Sequence, residues 1–178
     1  MKRIIKEVFH ITNKDVTAKG MDLTKSDLKN SDLQATDLKY GKFDYSNLKA
    51  TDFSQSDLKG CSFKCSNLED AVFDGANLNE AIFDKSDLRG ASFKECTLDN
   101  AKIWMCNVSG ISFDNLTLKG AKFDYSDLKD ASFRNAFLIN VSFKSELKKV
   151  IFDGATMDKV TYAILKGNKA NLDHVKVI

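Results

Sequence analysis

The chain has 178 residues, 43% of them hydrophobic, with 27 Lys and Arg against 25 Asp and Glu for a formal net charge of +2. That is enough for one domain with a real core, and too nearly neutral to argue for nucleic acid or an anionic membrane as partner. No stretch approaches the roughly 18 apolar residues of a membrane span, and nine glycines with no proline suggest a backbone whose N–H groups are wanted almost everywhere.

The opening "MKRIIKEVFHITN" carries early positive charge, yet Lys6, Glu7 and His10 interrupt its apolar run before a signal-peptide core could form. Residues 1–15 therefore read as an N-terminal cap, and the protein as cytoplasmic with its four cysteines reduced.

A repeat follows over residues 16–162. Large apolar residues recur at every fifth position from Leu23 to Phe143. From Phe43 they also alternate: ten of the eleven centres spaced by ten are Phe, the other being Ile103, and the centres between them are nine Leu and Val108. This period fits neither an α-helix nor a simple strand. Two residues before each centre stands something small, such as Ser46, Cys61, Ala71 and Ala81, and Asp or Asn usually precedes each Leu. Short extended edges with the centre and its minus-two residue inward account for the pattern. Turns then fall between centres, where Gly60, Gly75, Gly90 and Asn100 lie. An odd number of edges per coil would stack Phe on Leu, two cannot enclose the rings, and six would leave a void; four edges of five residues remain.

Two irregularities test that register. In "AKIWMCNVSGISFDNLTL" the centres shrink to Ile103 and Val108 while the minus-two positions grow to Ile111 and Leu116, which conserves core volume. After Phe143 the next centre, Leu147, comes one residue early. Counting through that loss puts Phe152 in the column of Phe133 and Tyr162 in the column of Phe123 and Phe143. Gly167 falls at a centre, with Leu165 available to fill the space. Residues 163–178 read as terminal repeats and a C-terminal cap.

These motifs resemble the pentapeptide-repeat proteins, whose repeat is A(D/N)LXX with Leu or Phe at its centre. The resemblance implies an all-β chain, a right-handed quadrilateral β-helix of about eight coils, which at about 4.8 Å per coil makes a rod roughly 38 Å long.

The charges in "FDKSDLRGASF" follow the repeat and read as solvated surface. Lys29, Lys49, Glu69, Arg89 and Lys129 would form one mixed column beside Asp27, Asn47, Asn67, Asp87 and Asp127. Cys61 and Cys65 have metal-like spacing, but one points inward and the other lies at a corner, and the two histidines, His10 and His174, are near opposite ends. No catalytic motif, cofactor or metal site is expected, and no enzyme. Outward apolar residues stand out: Trp104 and Met105, with Ile82 below and Tyr125 above, and Phe137 and Ile139 around inward Leu138. These are the candidate partner-binding residues. Ile164, Leu165, Val175, Val177 and Ile178 are candidates for self-association at the C-terminal end. The sequence thus favours a non-enzymatic scaffold that binds an unknown protein along its side or forms a homodimer through that end. The resemblance adds a second reading, because some family members mimic DNA and bind DNA gyrase, giving quinolone resistance. Mimicry needs a dominantly negative surface, which the near-neutral charge does not supply. Direct nucleic-acid binding is not expected, since acids interleave the lysines.

Overall fold

The structure, a computed structural model, describes residues 18–178; the cap expected at residues 1–15 lies outside them. From Asp22 onward the chain winds in coils of 20 residues. Parallel bridges join Asp22 to Lys42, Asp27 to Asn47, Asp32 to Asp52 and Asp37 to Asp57, and the four walls continue at this spacing with breaks between Ser92 and Ser112 and between Thr97 and Thr117. A three-walled coil would have shortened every one of those intervals by a whole repeat. Most walls are only a bridge wide. Where a wall widens it forms strands: β1 (Ile82–Asp84) pairs in parallel with β2 (Lys102–Trp104). On another wall β3 (Thr117–Lys119), β4 (Phe137–Ile139), β5 (Thr156–Met157) and β6 (Lys176–Val177) build one parallel sheet.

Each wall buries its centre and its minus-two residue, so the core is a set of columns. Phe takes two opposite walls and Leu the other two. Phe43 stacks on Phe63 with centroids 5.1 Å apart, and meets Phe53 across the tube edge-on at 5.8 Å. Both arrangements suit the ring quadrupole. Ile103 interrupts one Phe column without opening it, since Ile103, Val108, Ile111 and Leu116 are all buried.

The corners obey geometry more than residue type. Every fifth residue from Gly20 to Asn140 has φ between 50° and 71°. Positive φ at the third residue of a four-residue turn is the type II arrangement, closed by bonds such as Met21 N–H to Ala18 O at 3.0 Å. Gly and Asn accept it readily. Ala35, Tyr40, Ala50 and Gln55 accept it at a cost, so turn chemistry in the sequence marks only some of the corners.

Inward hydroxyls tie successive coils together. Ser66 Oγ donates to Phe43 O at 2.6 Å and accepts the Ser46 N–H at 3.3 Å, inserting itself into the turn of the coil below. Ser126 stands likewise between Ile103 O and the Cys106 N–H, at 3.0 and 3.1 Å. Burying these polar groups is tolerable because both partners are satisfied.

After Phe143 the register first behaves as expected, with Phe152 stacked on Phe133 at 5.5 Å. Ser145 locates the missing residue. Its Oγ accepts the Ser126 N–H and donates to Phe123 O, at 3.0 and 2.7 Å, which makes it the minus-two residue of Leu147. The residue lost is thus the left-handed corner that would follow Lys144.

The repeat does not run straight on into residues 163–178: it is interrupted, and the 20-residue register resumes only at β6, where Val177 pairs with Met157. Instead of Tyr162 and Gly167 serving as centres, Asp158 caps the helix α1 (Lys159–Gly167), its Oδ1 accepting the Thr161 N–H at 2.9 Å. An Asp cap, a helical apolar spacing and a closing Gly167–Asn168 pair supply the local reasons. Tertiary contacts supply the rest: Thr161 Oγ1 accepts the Val141 N–H at 3.0 Å, and Asn168 Nδ2 donates to Phe143 O at 2.7 Å. The helix therefore closes the open end of one wall, with Leu165 fully buried beneath it and Tyr162 only half-buried.

Candidate interaction surface

Most outward charges have structural work. Asp74 Oδ1 accepts the Ser92 hydroxyl at 2.5 Å and the Lys94 N–H at 3.0 Å one coil later. Asp44, Asp114 and Asp124 make the same pair of bonds to Ser62 and Lys64, Ser132 and Arg134, and Ser142 and Lys144. The signal for this clamp was present in the sequence, as Phe-Asp followed 18 to 20 residues on by Ser-Phe-Lys or Ser-Phe-Arg, and the reading of those charges as plain solvated surface missed it. Asp84 is the exception. Lys102 and Trp104 stand where the clamp needs Ser and a basic residue, and Asp84 Oδ1 is buried without a partner.

The mixed column is a ladder of weak pairs. Lys49 and Glu69 approach to 2.6 Å and Arg89 and Asp87 to 2.5 Å, and hydrogen bonding from Arg89 holds the Asp87 carboxyl below its ordinary range. Pairs this exposed contribute little to stability. Cys61, Cys96 and Cys106 are inward, and burial pushes their thiols up to about 12, while Cys65 is exposed at a corner. Among the described residues, no group of three His, Cys, Asp or Glu is placed to hold a metal ion, and no helix is long and apolar enough to cross a membrane.

Against this ionic background Tyr40 and Tyr45 are exposed at two corners, and at another corner three apolar side chains gather. Trp104 and Met105 are 39% and 51% exposed, and Tyr125, one coil above, is 56% exposed. The Trp104 and Tyr125 rings meet at 4.6 Å with a 62° tilt. Phe137 and Ile139 are not part of this cluster. They lie half-buried on β4, one wall away, opposite Thr117 and Lys119 of β3.

Next to Tyr125 the wall itself is open. In the coil below, this wall has its regular rungs: Asp127 N–H donates to Cys106 O, Val108 N–H to Asp127 O and Gly110 N–H to Lys129 O, at 2.9, 3.0 and 2.8 Å. One coil on, the equivalent groups Ser126 O, Leu128 N–H and Asp130 N–H have no backbone partner. The missing corner residue shifts Glu146–Lys149 out of register, and a groove of about 540 Å³ opens there, lined by Tyr125, Ser126, Asp127, Lys129, Glu146 and the Lys148–Lys149 pair.

At the C-terminal end Val177 is exposed on β6, the outermost strand of its sheet, Ile178 is exposed just after it, and Val160 is exposed on α1. Ile164 and Val175 are half-buried. Leu165 is corrected from a surface candidate to a core residue, because the helix turns it inward.

Four bridged walls, Phe and Leu columns and left-handed corners every fifth residue define a pentapeptide-repeat β-helix. The comparison with known families agrees: residues 66–143 match the family described as "Pentapeptide repeat region". The chain thus carries a pentapeptide repeat region, and the bridged register extends beyond it, from Asp22 to Ile151. No curated protein matches the chain. Among solved structures, a trypsin-treated form of QnrB1, a plasmid-mediated fluoroquinolone resistance protein, is 19% identical with a TM-score of 0.50, over 93% of this chain and 86% of that one. HetL, a pentapeptide repeat protein involved in heterocyst differentiation regulation from the cyanobacterium Nostoc sp. strain PCC 7120, is 20% identical with a TM-score of 0.40, over 99% and 90%. At these identities the likeness is one of fold, the right-handed quadrilateral β-helix.

Proposed function

We propose that this protein is a non-enzymatic scaffold whose side binds another protein at the Trp104 corner. The observation that carries this reading is the exposed Trp104–Met105–Tyr125 cluster, in which the Trp104 and Tyr125 rings touch, whereas Tyr40 and Tyr45 stand exposed at separate corners. Phe137 and Ile139 belong to the strand packing of their own wall. The test is site-specific photo-crosslinking in the source cell. A crosslinker at Tyr125 should trap a discrete protein that one at Lys59, on a different wall, does not, and Trp104→Ala should abolish the product. Equal labelling from both positions would refute the reading.

Two further readings belong beside it. A homodimer through Val177, Ile178 and the outer edge of β6 is supported by their exposure, and sedimentation that stays monomeric at high micromolar concentration would remove it. Gyrase binding is supported by the likeness of fold to QnrB1 alone; the interleaved charges along the walls speak against DNA mimicry. A supercoiling assay with and without a quinolone decides it, and no effect at micromolar protein would end that alternative.

A further inference from the structure

From the broken wall beside Tyr125, we infer that the groove is a docking site for an extended, acidic peptide segment of the partner. This rests on the proposed side-binding function and specifies how the partner is held.

Three features converge. The first is main-chain chemistry. Ser126 O, Leu128 N–H and Asp130 N–H follow one another at two-residue intervals, and in the coils below the same three groups are the rungs of a parallel ladder. An acceptor and two donors in that order are what an added strand reads. A compact ligand would use one of them, whereas an extended chain uses all three. The second is charge. Lys129, Lys148 and Lys149 are exposed and form no ion pair with a described residue. They face Asp127 and Glu146, and Asp127 already accepts the Lys129 N–H at 3.0 Å. Three lysines against two acids leave the groove net positive, which favours an incoming carboxylate over an incoming lysine. The third is the apolar shoulder, since Tyr125 lines the groove and also touches Trp104. A peptide lying along the open edge places one apolar side chain on that pair. A volume of about 540 Å³ lies within the range of sites that enclose a short ligand.

The origin of the site is a single missing residue. Without a left-handed corner after Lys144, the next coil cannot place its carbonyls over Leu128 and Asp130. Restoring that residue should close the wall.

The test uses the full chain and an acetylated, amidated pentapeptide, Glu-Asp-Phe-Asp-Glu. Trp104 is the only tryptophan, so its fluorescence reports occupancy of the shoulder, and amide NMR reports Leu128 and Asp130. Saturable changes at all three sites are expected. Charge reversal in the double variant Lys148→Glu, Lys149→Glu should weaken binding about tenfold, and backbone N-methylation of the peptide should weaken it as well. Inserting glycine after Lys144 should abolish binding while leaving the protein folded and the Trp104–Tyr125 contact intact. Binding unchanged by that insertion, or equal binding of the lysine counterpart of the peptide, would overturn the inference. So would a Trp104 response without shifts at Leu128 and Asp130. Crosslinking at Tyr125 that persists in the insertion variant would keep the side-binding function and remove only the groove. Loss of all crosslinking with peptide binding intact would do the reverse.

Discussion

Between Phe43 and Phe93 every coil has its full 20 residues, whereas the coil from Leu128 to Leu147 is one residue short. Both stretches have a complete core: Leu147, Val150 and Phe152 are as deeply buried as Leu68, Ala71 and Phe73. The first keeps its ladder bonds from Phe43 through Leu88, whereas the second lacks those of Ser126, Leu128 and Asp130. Apolar packing, being non-directional, adjusts to a lost residue, while backbone hydrogen bonds fix donor and acceptor positions and fail together when the register slips. The same rod thus has a sealed part and an open part with no change in the kind of residue it buries.

That contrast can be broken or sharpened by mutation. The largest effect should come from Phe63→Ala, which removes a ring stacked on Phe43 and Phe83; a cost of about 3–5 kcal/mol is expected in denaturant unfolding. Next is Ser66→Ala, which strands the Ser46 N–H and Phe43 O inside the sealed part and should cost about 1–3 kcal/mol. If the sealed part does not depend on its hydroxyls, this variant will unfold like the wild type.

At the open end, Asp158→Ala removes the cap of α1 and should cost about 1 kcal/mol, seen as faster hydrogen exchange from residue 158 onward with residues 43–93 unchanged. The Asp158 carboxyl also carries a pH dependence. Burial raises its pKa, but the bonds from Thr161 outweigh this and hold it below the ordinary value. Its contribution is therefore complete above the unfolded value of about 3.9 and is lost as pH falls through the lower folded value. Asp158→Ala should erase the acid-induced loosening of this end. The smallest effect is a gain: Ala35→Gly relieves a left-handed alanine at φ 50° and should add several tenths of a kcal/mol, roughly the αL penalty less the entropy of glycine. A loss of stability there would mean that the corner is held by contacts of the methyl group.

Much of this was legible beforehand. The alternation of Phe and Leu excluded three walls, the inward Ser and Ala positions were assigned correctly, and the count through the missing residue placed Phe152 on Phe133. The contact of Trp104 with Tyr125 followed from the same arithmetic. What escaped the sequence lay between coils: the Asp clamps, which join residues 18 and 20 positions apart, and the hydroxyls that enter the turn below. Phe137 and Ile139 looked equivalent to Trp104 because outward direction is readable, but the depth to which neighbours on a sheet cover a side chain is not.

By itself the sequence determined the tube, since a five-residue period makes each coil the template of the next and every interior coil meets the same neighbours. Only the tertiary structure decided how that order ends. At the last coils one neighbour is absent, so Thr161, Leu165 and Asn168 answer to the exposed groups of Val141 and Phe143 instead of to the repeat, and a helix forms where periodicity alone continues the wall. The open groove has the same cause in reverse, because three backbone groups were left without the partners their position in the ladder requires.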